Sequence, residues 1–246
     1  VNSDRVEGRN PVIEALKSGR EIDKILIAKG AGEGSINKII AIAKEKGLVV
    51  QYVERQKLNE MSETNSHQGV IALVAAYEYS TLEDILEGAK GQDEQPFILI
   101  LDEIMDPHNL GSIMRTADAV GANGIIIPKR RSVGLTATVA KTSAGAIEYV
   151  PVAKVSNIAQ TIDKLKDQGI WIAGADMAGE KTHFEEDFKG PIALVLGSEG
   201  QGLSRLVKEK CDFLINIPMK GKVSSLNASV AASIIMYEVF RQRQSK

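Results

Sequence analysis

The chain has 246 residues, enough for one large domain or two modest ones with a substantial core. Hydrophobic residues make up 43% and charged residues 25%, no apolar run is long enough to span a bilayer, and no signal-peptide pattern is present, so a cytoplasmic protein with no membrane partner is expected. The single cysteine, Cys211, excludes an internal disulfide framework, and His67, His108 and His183 lack the spacing of metal ligands, so no metal is expected. The formal net charge of −2 neither supports nor excludes a nucleic-acid partner. Local clusters such as Lys129-Arg130-Arg131 matter more, and that one, taken alone, reads as a solvated loop.

From Gly8 to Ala76 helix and strand patterns alternate in small units. Residues 11–17 and 36–46 have helical spacing, while 24–28, 48–53 and 69–75 read as strands. This predicts a compact α/β domain over 1–78. Residues 79–95 hold one basic and five acidic side chains, and read as a linker with a short helix around 82–86. From Phe97 onward, over 96–246, the pattern becomes a strong α/β alternation. The runs 97–101, 124–127, 170–173, 192–196 and 213–215 are short and almost wholly apolar, as strands buried on both faces of a mostly parallel sheet must be. Ligands of such sheets collect outside the carboxyl ends of the strands, which directs attention to the loops after Leu101, Leu196 and Ile217.

After Leu101, Asp106 is placed to cap a helix with Pro107 in its first turn and Gly121 as its stop. Leu110, Ile113, Met114 and Ala117 form its apolar stripe. Asn109, Ser112 and Arg115 step along the other side, each about 60° from the last at ~100° per residue. An arginine there suits a phosphate through its planar fork, or simply forms a surface ion pair, for instance with Asp118. His108 reads as a helix-start residue. After Leu196, the run Gly197-Ser198-Glu199-Gly200-Gln201-Gly202 surrounds one carboxylate with glycines, letting backbone approach a ligand closely. It lacks the order of a dinucleotide fingerprint, and Gly221-Lys222-Val223 lacks the hydroxyl of a phosphate-binding loop. The last segment is a short strand, a Pro/Gly loop and an almost unrelieved apolar helix that is expected to be buried on more than one side. Ser225 is placed as its N-cap, and Ser225, Asn227 and Ser229 crowd its start; such a cluster fits either a capped core helix or a ligand site.

Taken together, Asp106-Pro107-His108-Asn109-Leu110-Gly111-Ser112-Ile113-Met114-Arg115-Thr116-Ala117, Leu196-Gly197-Ser198-Glu199-Gly200-Gln201-Gly202, and Ile217-Pro218-Met219 with Ser224-Ser225-Leu226-Asn227-Ala228-Ser229 resemble, in order and spacing, the three motifs of SpoU/TrmH-type RNA 2′-O-ribose methyltransferases of the SPOUT superfamily. Glu7-Gly8-Arg9-Asn10-Pro11-Val12 and Ser66-His67-Gln68-Gly69-Val70-Ile71-Ala72 resemble the L30e-like substrate-binding domain of the same proteins, so the likeness covers nearly the whole chain. Ala228 stands where many members carry valine, a difference that bears on packing.

The resemblance implies a small L30e-like α/β domain followed by a methyltransferase domain whose carboxyl-terminal segment is threaded as a trefoil knot. It implies S-adenosylmethionine held near Leu196, Gly197, Gly202, Ile217, Met219 and Leu226, a homodimer with sites at or near the interface, and a ribose-methylating site of Asn109, Arg115, Glu199, Ser225 and Asn227. The best match is to members that act on a guanosine of 23S ribosomal RNA. In that site Arg115 is expected as a phosphate clamp, because a guanidinium stays protonated, with Glu199 orienting Arg115 or the ribose. The rival expectations are a methyltransferase for transfer RNA or adenosine, and a non-enzymatic RNA-binding or assembly factor on the same fold.

Overall fold

The computed structural model describes residues 5–17, 22–32, 34–62, 66–74, 77–90, 95–222 and 225–244. Ala75, expected to end a strand, and Ser224 of the last motif lie outside them. The chain divides into two compact units, Val1–Glu78 with Gly134–Ala137, and Tyr79–Val133 with Thr138–Lys246.

In the first unit β1 (Arg5–Glu7), α1 (Arg9–Lys17), β2 (Ile22–Ala28), α2 (Ser35–Glu45), β3 (Val50–Val53), α3 (Arg55–Met61) and β4 (Val70–Val74) follow one another. The strands form a sheet in the order β1-β4-β2-β3, with β2 parallel to β3 and β4 antiparallel to β1 and β2. Alternation along β2 sends Ile25 and Ile27 into a core with Val12, Leu16, Ile36 and Ile39, and Leu26 and Ala28 to the other face with Leu58 of α3. The two family-like segments of this unit meet in space. Arg9 donates its backbone N–H to Gln68 Oε1 at 3.1 Å and its Nε–H to the Gln68 carbonyl at 3.2 Å. The buried His67 Nδ1 accepts from the N–H of Gly69 at 3.0 Å, which leaves Nε2 to donate to Asn59 Oδ1 at 2.8 Å. His67 therefore holds a turn.

The remaining elements are α4 (Leu82–Lys90), β5 (Phe97–Leu101), α5 (Pro107–Ala119), β6 (Gly124–Pro128), α6 (Ala137–Thr142), a 3-10 turn at Ala146–Glu148, β7 (Val152–Val155), α7 (Ile158–Asp167), β8 (Trp171–Ala175), β9 (Lys181–Thr182), β10 (Ile192–Leu196), α8 (Arg205–Lys210), β11 (Phe213–Asn216) and α9 (Ala228–Gln244). Seven of these strands form one sheet in the order β7-β6-β5-β10-β8-β11-β9, every neighbouring pair parallel. All five residues of β5 and of β10 are buried, as their unbroken apolar runs require. The chain first builds outward from β5 through β6 to β7, then returns to build β8 and β11 on the far side of β10. That reversal opens a crevice at the carboxyl ends of β5, β10 and β8.

Helix α5 begins as its sequence requires: Asp106 Oδ1 accepts the N–H of His108 at 2.9 Å, Pro107 occupies the first turn, and Gly121 follows the end at φ 72°. Leu110, Ile113, Met114 and Ala117 are fully buried, so the opposite ridge is free to carry chemistry. Of the expected linker 79–95, residues 91–94 lie outside the described residues, and 79–90 carry more structure than a connector needs. Leu82, Ile85 and Ala89 of α4 sit at helical spacing and are buried, and Leu82 and Ile85 join the core that includes Ile98, Ile126 and Ile162. Gly124 makes room for them, since a Cβ there would lie 2.8 Å from Ile85.

A fragment beginning at Tyr79 should accordingly be more stable than one beginning at Pro96, by about 3–6 kcal/mol for the loss of two buried aliphatic side chains. Urea denaturation of the two fragments measures the difference. Equal midpoints and slopes would show that α4 contributes nothing to this core.

Candidate functional site

A cavity of about 400 Å³ opens at the carboxyl ends of β8, β10 and β11. Its walls come from Ala175 at the end of β8 with Asp176 and Met177 after it, Leu196 at the end of β10 with the loop 197–202 after it, Ile217 and Met219 after β11, Ser225 and Leu226 ahead of α9, and Lys208 of α8. Among the described residues no helix is long and apolar enough to cross a membrane, and no group of His, Cys, Asp or Glu is placed to hold a metal ion. Cys211 is no nucleophile at neutral pH, because burial pushes its thiol up to about 12.

The loop after β10 folds back on itself. The N–H of Gly202 donates to the Ser198 carbonyl at 3.0 Å, and a Cβ on Gly197 would collide with the Gly202 carbonyl and stand 2.6 Å from the Leu203 nitrogen. Only glycine fits there. The far end of the loop is fixed from β5: the buried Asp102 donates its N–H to the Leu196 carbonyl at 2.8 Å and accepts the Ser204 N–H on Oδ2 at 2.9 Å. Glu199 is thereby carried to the start of α9.

There its Oε1 accepts three N–H donors: Asn109 Nδ2 at 2.9 Å, Asn227 Nδ2 at 2.6 Å and the Ala228 backbone at 3.2 Å. Asn227 Nδ2 also donates to Asn109 Oδ1 at 2.9 Å. The amide orientation of Asn227 is forced, since its Oδ1 accepts the N–H groups of Ser229 and Val230 at 3.0 and 3.3 Å and the Ser229 hydroxyl at 2.6 Å. Asn227, not Ser225, is therefore the cap of α9. The helix starts at Ala228, and Ser225 lies three positions upstream, exposed on the cavity wall. Glu199 Oε2 and the second Asn109 N–H have no partner among the described residues.

Of the predicted cofactor residues, Leu196, Gly197, Gly202, Ile217, Met219 and Leu226 all line the cavity. Asn109, Glu199 and Asn227 form one cluster beside it. Arg115 stands apart: it is exposed, six residues along α5 from Asn109, and among the described residues it is joined neither to Glu199 nor to Asp118. Glu199 holds Asn109 and Asn227 in its place. The next residue, Thr116, faces α9 with its hydroxyl 3.0 Å from Ser233 Oγ. Sequence reasoning missed Asp102, Asp176 and Lys208. Asp176 follows a strand of the parallel sheet, so the rule that pointed to the other loops points to it as well.

Helix α9 was expected to bury more than one side. In the single chain it buries Ala232, Ile235, Met236 and Val239 and leaves Val230 47% and Tyr237 52% exposed. Of the basic cluster after β6, Arg131 pairs with Glu103 at 2.7 Å, while Lys129 and Arg130 are exposed without an ion-pair partner among the described residues.

The chain matches the model of the SpoU rRNA Methylase family over residues 96–237 and that of RNA 2′-O ribose methyltransferase substrate binding over residues 5–80. It is 58% identical over 240 residues to YacO of Bacillus subtilis strain 168, named as a TrmH family tRNA/rRNA methyltransferase, covering 98% of this chain and 96% of the relative. Among solved structures, an AdoMet-bound rRNA methyltransferase from Sinorhizobium meliloti is 27% identical, covers 98% of this chain and 88% of its own, and superposes with a TM-score of 0.63. A TrmH/SpoU tRNA modifying enzyme from A. aeolicus is 32% identical, with a TM-score of 0.56, over 66% of this chain and 81% of its own.

The Asn227→Asp substitution tests the cluster. Aspartate caps a helix as well as asparagine does, but it would set a carboxylate against Glu199 Oε1 and Asn109 Oδ1. A stability loss of about 1–3 kcal/mol at neutral pH is expected, with much of it regained in Asn227→Asp/Glu199→Gln, where the new amide can donate back. Thermal melts of the two variants measure it; no loss in the single variant would mean that these contacts contribute nothing.

Proposed function

The chain belongs to the SpoU rRNA methylase family, and from that premise we propose that it methylates the ribose 2′-hydroxyl of a guanosine in 23S ribosomal RNA. Membership makes it an S-adenosylmethionine-dependent RNA methyltransferase. The observation that carries the choice of ribosomal RNA is the first unit. The likeness to the Sinorhizobium rRNA methyltransferase runs through 98% of the chain, and the substrate-binding model matches residues 5–80, whereas the likeness to the tRNA-modifying enzyme covers 66%. Guanosine rests on the motif resemblance.

The cavity suits the cofactor. Its volume of about 400 Å³ lies in the range of small-molecule sites. Leu196, Ile217 and Leu226 offer an apolar slot, and the glycine-rich loop brings backbone donors and acceptors close. When bound, S-adenosylmethionine supplies an electrophilic methyl group on a sulfonium. The protein's part is to bring a hydroxyl into line with it. In this reading Glu199 Oε2 accepts the hydrogen of the ribose hydroxyl, the second Asn109 N–H fixes the sugar, and Ser225 offers a hydroxyl at the cavity rim. Arg115 clamps a neighbouring phosphate with its planar fork. The stretch after β11 is threaded as a knot beside the loop after β10, and the two share the cavity walls. A homodimer would cover Val230 and Tyr237 of α9.

Mapping ribose methylation in ribosomal and transfer RNA from a strain lacking the protein tests the substrate. One guanosine of 23S RNA should lose its methyl group and regain it on incubation with the enzyme. Loss confined to transfer RNA or to an adenosine would overturn the choice.

Arg115→Lys keeps the charge and removes the fork, on a face that the core does not use. Single-turnover transfer of labelled methyl should slow at least tenfold, a loss of about 1.4 kcal/mol, with cofactor affinity unchanged by calorimetry. Transfer at the normal rate would show that a point charge suffices. RNA affinity should also fall steeply with salt, through phosphate contacts of exposed groups such as Lys129 and Arg130. An affinity constant across a fourfold rise in salt would remove those contacts from the account.

A further inference from the structure

Asp176, one residue beyond the end of β8, is an acid on the cavity wall that none of the three motifs contains. Its side chain is only 13% exposed and one oxygen is fully engaged: Oδ1 accepts Lys208 Nζ at 2.7 Å and the Ala178 N–H at 2.8 Å. The other oxygen, Oδ2, has no hydrogen-bond partner among the described residues, and it points toward Gly202, where a Cβ would lie 3.4 Å from it. It is not sealed off. Among the described residues the one fully buried side-chain polar atom without a partner is His183 Nδ1, so Asp176 Oδ2 is not fully buried, and Asp176 lines the cavity. A carboxylate oxygen accepts and never donates, and leaving it largely desolvated without a donor costs free energy that a ligand can recover.

We propose that Asp176 Oδ2 receives the ribose hydroxyls of the adenosyl cofactor, with Lys208 and the Ala178 N–H holding the carboxylate in place. This rests on the reading of the cavity as the cofactor site. Two features favour a neutral hydroxyl donor over the cofactor's ammonium group. Lys208 Nζ already sits on the same carboxylate at 2.7 Å, so a second cation would be repelled by it, whereas a diol would not. An acid beside a ribose is also a recurrent solution at the strand ends of parallel sheets, because the two hydroxyls can donate to one carboxylate. Gly202, at φ 68°, leaves the approach to Oδ2 open, which a side chain at that position would narrow.

The experiment is calorimetry of the full-length protein with S-adenosylhomocysteine and its 2′-deoxy and 3′-deoxy analogues, for the unaltered chain and Asp176→Asn. Thermal melts serve as the fold control. The unaltered chain should bind S-adenosylhomocysteine at least tenfold more tightly than one or both deoxy analogues. Asp176→Asn, which keeps the size and removes the charge, should lose most of that difference by weakening S-adenosylhomocysteine while leaving the weaker analogue nearly unchanged. Deoxy analogues that bind the unaltered chain as tightly as the parent would overturn the assignment. So would an Asp176→Asn protein that weakens all three ligands equally, which would place Asp176 in the architecture of the loop. An unaltered chain that binds none of the three would instead overturn the reading of the cavity itself.

Discussion

One carboxylate oxygen ties the carboxyl-terminal half of this protein together. Glu199 Oε1 accepts N–H groups from α5, from the residue ahead of α9 and from the first backbone amide of α9. Asn109 and Asn227 are 118 residues apart in the chain, and Glu199 gathers both at the cavity rim. The negative charge sits where the unpaired amides of α9 gather, so helix capping and site assembly are one interaction. Because Oε1 and Asn227 are saturated, the groups left over, Glu199 Oε2 and one Asn109 N–H, are fixed in direction before any substrate arrives. Preorganised groups of this kind cost nothing to arrange during reaction.

That cluster depends on the sheet beneath it. β10 lies between β5 and β8 in parallel register, with Leu196 opposite Leu101, so the loops leaving β5 and β10 start side by side. Asp102 then fixes both ends of the loop after β10, through the Leu196 carbonyl and the Ser204 N–H. Gly197 is the weak point of this arrangement, since any side chain would strike the backbone of residues 202 and 203. The glycine spacing is thus a packing requirement before it is a binding one.

Much of this was legible in the chain. The run 192–196 predicted β10 to the residue, and Asp106-Pro107 with Gly121 predicted α5, because unbroken apolar runs and helix caps are local signals. Helix α4 was underestimated because its acidic surface outweighs a stripe of only three buried residues. One misreading at the site has a local cause: Ser225 looked like the cap because it stands just ahead of the helix in sequence. For Glu199 the expected partners were Arg115 or the ribose, and no contact with Arg115 is present among the described residues. Asn227 displaces Ser225 because it alone can accept from two amides of α9 and still donate to Glu199 and Asn109, partners set by tertiary structure. Asp176 and Lys208 carry no motif, and their meeting depends on α8 packing beside the end of β8.

The account turns on Glu199 serving the ribose as well as the helix, and Glu199→Gln separates the two. Glutamine keeps a carbonyl oxygen for the amides of α9 and loses the charged second oxygen. Cofactor affinity and single-turnover methyl transfer should be measured on the same preparation. The account predicts affinity within about threefold of the unaltered chain and transfer slowed by at least about tenfold, equivalent to 1.4 kcal/mol or more of the barrier. Transfer at an unchanged rate would contradict it, and would reduce Glu199 to a cap for α9.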